Sequence, residues 1–251
     1  MQPSAVSALR PHFEFPLKGE QVATRLLIGS ALLLASFVVP ILPALFVVGY
    51  GVQVMRRAAA GDAPRMHAWQ DWGGLLSDGF RGWVISLVFF LPGVIVFLGG
   101  YGIYFVSFLS ASGLSGNESN AAVMLPLLIG MGSMFAGFGL ATLLFVLASV
   151  FFPAALAHYA AENRFAAAFH FRRWWRAVRA NPLGWLIVWM IVVGLFSVVY
   201  LVALTAYFTI FLICLLPFLL LPLYFYIMLV GASLFGDVYR EGRGRAAAPA
   251  S

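Results

Sequence analysis

The chain has 251 residues, of which 63% are hydrophobic and only 10% charged, with a mean hydropathy of +0.96. A soluble domain carries about 25% charged residues, so the deficit excludes an ordinary water-soluble fold. Fourteen Arg and a single Lys outweigh nine acids to give a net charge of +6. In so apolar a chain that excess reads as juxtamembrane charge meeting anionic head groups, not as a nucleic-acid footprint.

The first 21 residues are mixed polar and carry no signal-peptide cleavage pattern. Beyond them, residues 26–55, 82–117, 119–157 and 180–236 contain no Asp, Glu, Lys, Arg or His. A bilayer core about 30 Å thick takes about 20 apolar residues per helix. Predicted spans therefore fall at residues 22–39, 43–58, 82–109, 122–157, 182–205 and 208–236. Pro40-Ile41-Leu42-Pro43 divides the first two. It is either the turn of a hairpin, giving six helices, or a kink in one long helix, giving five. Arg10, Lys18 and Arg25 precede this pair and Arg56 and Arg57 follow it, and a hairpin puts both groups on one side. With six helices all fifteen basic residues face the cytoplasm, both termini are cytoplasmic, and the outer loop 110–121 holds only Glu118. The expected location is the cell's inner (plasma) membrane.

The expected fold is all-α, a polytopic transmembrane helical bundle forming one integral membrane domain over residues 1–240. Residues 241–251, rich in Arg, Gly and Ala, read as a disordered cytoplasmic tail. Trp72 is followed ten residues on by Gly82-Trp83, and Trp174 by Gly184-Trp185; Phe15 and Arg25 make a weaker copy. This spacing outlines three candidate hairpin repeats, 13–59, 69–161 and 169–240, each an amphipathic lead-in followed by a helix out and a helix back.

The lead-ins can be placed on a helix at about 100° per residue. Over 171–179, Arg172, Arg173, Arg176 and Arg179 share one arc, opposite Phe171, Trp174, Trp175 and Val178. That is the pattern of an interfacial helix, and these four arginines with Trp174 and Trp175 are the candidate lipid-facing residues. Over 69–81, Trp69, Trp72, Leu75, Leu76 and Phe80 face away from Gln70, Asp71, Ser77, Asp78 and Arg81. If the two lead-ins are neighbours, Asp71 or Asp78 is expected to pair with Arg172, Arg176 or Arg179.

Several motifs together resemble a known family. They are Phe13-Glu14-Phe15-Pro16-Leu17, Leu26-Leu27-Ile28-Gly29, Gly49-Tyr50-Gly51-Val52 before Arg56-Arg57, Asp71-Trp72-Gly73 and Asp78-Gly79. Phe169-His170-Phe171, Arg179-Ala180-Asn181-Pro182 and Leu234-Phe235-Gly236-Asp237-Val238-Tyr239-Arg240 complete the set. The pattern is similar to the prokaryotic membrane family called domain of unknown function four-thousand-thirteen. The resemblance covers most of the chain and implies a multi-pass membrane protein. It implies no reaction, ligand or catalytic residue, and the doubled Trp174-Trp175 departs from the pattern.

Candidates for chemistry are few. His158 and Glu162, four apart, face one way on a helix, and His158 is a weak candidate axial ligand for haem or chlorophyll. No second intramembrane histidine supports it, so no cofactor and no metal is expected. Gly231-Ala232-Ser233 resembles a hydrolase turn, but no His or acid in the second half of the apolar core is in place to activate Ser233. Gly130, Gly132, Ser133, Ala136, Gly137 and Gly139 have the spacing of close helix packing, and Gly99, Gly100 and Gly102 are candidates for the same role. One cysteine, Cys214, cannot form an internal disulfide. The expected role is non-catalytic, a scaffold or accessory subunit touching other membrane subunits and anionic lipid, without a nucleic-acid partner. The alternative is a transporter or carrier for a lipid or apolar substrate, since the proline-broken spans carry no charge for an ion.

Overall fold

A computed structural model describes residues 5–19, 21–114, 120–207 and 216–247; Cys214 and the tripeptide Asn117-Glu118-Ser119, whose pattern matches a glycosylation acceptor, lie outside them. Among the described residues all regular structure is helical. The helices are α1 (Ala5–Glu14), α2 (Val22–Ala35), α3 (Leu42–Ala60), α4 (Trp72–Leu114), α5 (Asn120–Glu162), α6 (Phe171–Ala180), α7 (Pro182–Tyr207) and α8 (Leu216–Ala247). Short 3-10 turns cover Phe15–Leu17 and Phe165–Phe169. The chain divides into two compact units, one of residues 1–85 with 153–251 and one of residues 86–152.

In the first unit α8 is the central helix, packed by α3, α7, α6 and α2. Small residues set those contacts. A Cβ on Gly231 would meet Val192 of α7, one on Gly236 would lie 2.6 Å from Met55 O of α3, and one on Gly242 would lie 2.3 Å from Ala177 O of α6. At Gly236 and Gly242, without side chains there, van der Waals contact runs from backbone to backbone. Phe225, Leu229 and Val230 of α8 and Val47, Tyr50 and Val52 of α3 are almost fully buried between these crossings. The contact at Gly242 also accounts for a difference from the sequence reading. Residues 241–247, expected as disordered tail, are the last turns of α8. Within them Gly242 packs against Ala177 of α6 and Arg245 pairs with Asn181.

The chain reverses between α2 and α3. Arg25 near the start of α2 donates through Nη1 to Met66 O at 2.6 Å, beyond the end of α3. Trp69 Nε1 returns a bond to Arg25 O at 3.2 Å. One long kinked helix would hold these residues far apart; α2 and α3 are instead two separate helices packed on each other. Ile41 makes the turn at φ +76°, a strained conformation for a β-branched residue, between Pro40 and the Pro43 of the first turn of α3. α3 ends at Gly61, whose φ of +90° lets Gly61 N–H reach Ala58 O and Asp62 N–H reach Arg57 O.

The second unit pairs residues 86–114 of α4 with residues 120–152 of α5. A Cβ on Gly100 would lie 2.9 Å from Gly137 Cα, and one on Gly130 would lie 2.8 Å from Ser107 Cβ. Ser133 Oγ donates to Gly130 O at 2.7 Å. Gly100, Gly130, Ser133 and Gly137 therefore form the close seam that their spacing predicted. Gly99, Gly102, Gly132 and Gly139 face open space.

Candidate functional site

The charged and hydrogen-bonding side chains of the first unit gather into a polar layer, and glycine packing begins it. A Cβ on Gly49 would lie 1.9 Å from Leu75 O and one on Gly79 would lie 1.8 Å from Leu45 O, so α3 and the first turns of α4 touch along their backbones. Asp71 caps α4, accepting Gly74 N–H on Oδ1 at 2.9 Å. The face of α4 that turns inward is Leu75, Asp78, Gly79, Gly82 and Ile85. Asp78 is thus buried, with 6% exposure, and Arg56 of α3 grips it with two bonds at 2.9 and 2.8 Å. Tyr159 of α5, fully buried, donates to the same carboxylate at 2.9 Å. Arg56 Nε adds a bond to Ala160 O at 3.2 Å. A forked guanidinium matched to a carboxylate is the strong geometry for a buried pair.

Three further clusters surround α8. His158 Nδ1 lies 2.5 Å from the Tyr239 hydroxyl, and its Nε2 lies 3.5 Å from Glu162, which Arg173 approaches at 3.9 Å. His12 of α1 places Nδ1 2.7 Å from Ser233 Oγ and Nε2 3.5 Å from Asp237, which also accepts from Arg240. Asn181 caps α7 by accepting Gly184 N–H, donates to Glu241 at 3.2 Å and accepts from Arg245 at 2.7 Å.

Beside them lies an aromatic stack. His67 sits on Tyr50 with centroids 3.9 Å apart and planes at 12°, and Trp69 lies 4.4 Å from the same Tyr50. The Tyr50 hydroxyl donates to His67 O and accepts from His67 N–H. Both His67 ring nitrogens are buried and, among the described residues, have no hydrogen-bond partner. Desolvation, aided by the positive charges of Arg57 and Arg25, pushes the His67 imidazole down to about 4.

The arrangement corrects parts of the sequence reading. Asp78 belongs to the buried face and pairs with Arg56, not with Arg172, Arg176 or Arg179. On the apolar side of this lead-in, Trp69 and Leu75 are buried while Trp72 and Phe80 are exposed. Ser233, for which the second half of the apolar core offers no His or acid, meets the His12 imidazole brought from α1, and the other nitrogen of that ring approaches Asp237. A nucleophile needs access to its substrate, whereas Ser233 is fully buried on a continuous helix, so the cluster acts as a latch holding α1 to α8. His158 is 3% exposed, its Nδ1 against Tyr239 and its Nε2 toward Glu162, so its ring faces protein on both sides. Among the described residues no group of three His, Cys, Asp or Glu converges in a way that could hold a metal.

Helix α6 carries the remaining candidates. Arg172, Arg173, Arg176 and Arg179 are all exposed, and Arg179 lies 5.5 Å over the Trp175 ring. Trp174 is 1% exposed and donates Nε1–H to Ala168 O at 3.1 Å, while Ala177 and Val178 are buried against the unit. Trp175 is half-buried and Phe171 is 52% exposed. The apolar side of α6 thus divides between protein and surroundings.

Among the described residues four helices are long and apolar enough to cross a membrane: Trp72–Gly113, Ala122–Glu162, Pro182–Ala206 and Pro217–Ala247. With an all-helical fold, they define a helical membrane protein. Residues 32–208 match the family described as protein of unknown function, DUF4013, and the chain belongs to that family. No curated protein and no solved structure matches it.

Proposed function

We propose that this protein is a non-catalytic integral membrane protein, a scaffold or accessory subunit that meets other membrane subunits through its helix faces and anionic lipid through α6. The carrying observation is the division of α6, with four arginines exposed and Trp174 and Val178 buried on the other side. Orientation by positive charge alone needs no such fixed face. Each basic residue near an anionic surface contributes about 1 kcal/mol, so four held outward make an effective lipid contact. Backbone contacts at Gly49, Gly79, Gly236 and Gly242 favour a closed, rigid body over a carrier that must open.

In this reading six helices enter the bilayer of the inner membrane as three hairpins, with both termini cytoplasmic. The α2–α3 pair is short, since 14 residues of α2 extend about 21 Å at 1.5 Å per residue. It enters from the polar side with Phe37, Val38 and Ile41 exposed at its tip. The caps at Asp71 and Asn181 align the second and third hairpins, each closing on a glycine three residues on. The test is native mass spectrometry of protein purified in mild detergent. Replacing Arg172, Arg173, Arg176 and Arg179 by Gln should strip bound anionic lipid, and raised salt should mimic part of the loss. Equal lipid retention by parent and variant would reduce α6 to a topology signal. Co-purification of a membrane partner supports the scaffold, and lipid transfer by the protein in proteoliposomes would favour a carrier.

A further inference from the structure

The segment joining α1 to α2 meets the segment after α3 across an open groove of about 580 Å³, lined by Arg10, Glu14, Phe15, Lys18, Pro64 and Arg65 among others. Glu14 is occupied on both oxygens: Oε1 accepts from Arg10 Nε at 2.5 Å and Oε2 accepts from Lys18. Those two bonds, Lys18 first, hold the Glu14 carboxyl below its ordinary range. Arg65 on the facing segment is exposed and, among the described residues, has no carboxylate partner. Among the described residues that line the groove, three cations therefore face one carboxylate, which is already committed to two of them. Phe15, 5% exposed, and Pro64 give it apolar walls. Leu17, 62% exposed, lies beside Lys18, and the apolar helix α2 begins at Val22. The groove thus opens where charged surface gives way to the apolar helix α2.

We propose that this groove binds the phosphate of an anionic lipid head group, between Lys18 and Arg65 with Arg10 alongside. The apolar walls and exposed Leu17 fit the glycerol and first acyl carbons of a lipid, which a free phosphate lacks. The site shares the membrane placement of the reading above but not its α6 stripe, so the two fail separately. In nanodiscs of phosphatidylcholine containing a minority of phosphatidylglycerol, native mass spectrometry should find phosphatidylglycerol enriched on the parent protein. Arg65→Gln leaves the Glu14 clamp intact and should weaken that enrichment about fivefold, with a further loss in the Arg10→Gln, Lys18→Gln, Arg65→Gln variant. The α6 quadruple Gln variant should keep the groove lipid. Enrichment unchanged in both groove variants overturns the proposal, as does equal retention of phosphatidylcholine. Displacement of the lipid by millimolar inorganic phosphate would assign the groove to a soluble anion and overturn the head-group source. Melting temperatures of the variants close to that of the parent would show that lost lipid is not lost fold; if the triple variant melts early, Arg65→Gln alone decides.

Discussion

Asp78 stands at the centre of a buried charge pair in the first unit. Its carboxylate accepts from Arg56 and Tyr159 while only 6% exposed. Asp78→Asn leaves the half-buried guanidinium without a counter-charge, and breaking such a pair costs about 3 kcal/mol. The melting temperature in detergent should fall. Arg56→Met with Asp78→Leu should recover part of the loss, because neither charge is then stranded. An additive or larger loss in the double variant would show that the pair is not a unit. His67 gives a residue-scale pH effect. Its folded value of about 4 lies below the ordinary 6.5, so the unfolded chain takes up the proton first as pH falls. The stabilising preference for neutral His67 is complete above about pH 6.5 and is lost between there and about pH 4. His67→Phe keeps the stack on Tyr50 and cannot be protonated. Its melting temperature should therefore decline less than the parent's over that window; parallel curves would remove His67 as the cause.

Among the elements, α4 separates what periodicity can read from what it cannot. The uncharged run after Gly82 announces a membrane helix from composition alone. Placing Asp78 on the water-facing side followed from treating every charge as solvated. Its partner lies 22 residues upstream, and a helical projection holds no information about a neighbouring helix. The signal that was available is the spacing Leu75, Asp78, Gly79, Gly82, in which two glycines mark the face that touches another backbone. The same limit hid the latch at Ser233, since His12 is 221 residues away. In α6 the Arg arc is exposed as the projection had it, whereas burial of Trp174 depends on α8 and on Ala168 O. Gly79→Val should force α3 and α4 apart, because its Cβ would stand 1.8 Å from Leu45 O. Overpacking of this kind costs about 1–3 kcal/mol. Gly99→Val, at a position with open space, should be close to neutral in the same melting assay. Equal effects at the two positions would mean that propensity, not contact, governs these helices.

For the whole molecule, charge is distributed between the two units in an extreme way. All fifteen basic residues fall in residues 1–85 and 153–251, and residues 86–152 contain none. Positive residues near the ends of membrane helices are retained on the cytoplasmic side. The polar layer gathers α1, the end of α3, the start of α4, the end of α5 and the last turns of α8. Those contacts require the N-terminal helix and the C-terminal turns to share one side of any membrane that the helices cross. Reporter fusions at the two ends should therefore give the same cytoplasmic signal, and a reporter inserted within residues 115–119 should give the external one. Opposite signals from the two termini would be incompatible with the His12–Ser233 contact and with a hairpin of α2 and α3. A second measurement separates topology from packing. Cysteine cross-linking of position 12 to position 233 in native membranes should proceed only if α1 is latched onto α8 on the side where both termini lie. Matching reporter signals without cross-linking would leave the charge-directed topology in place and remove the latch.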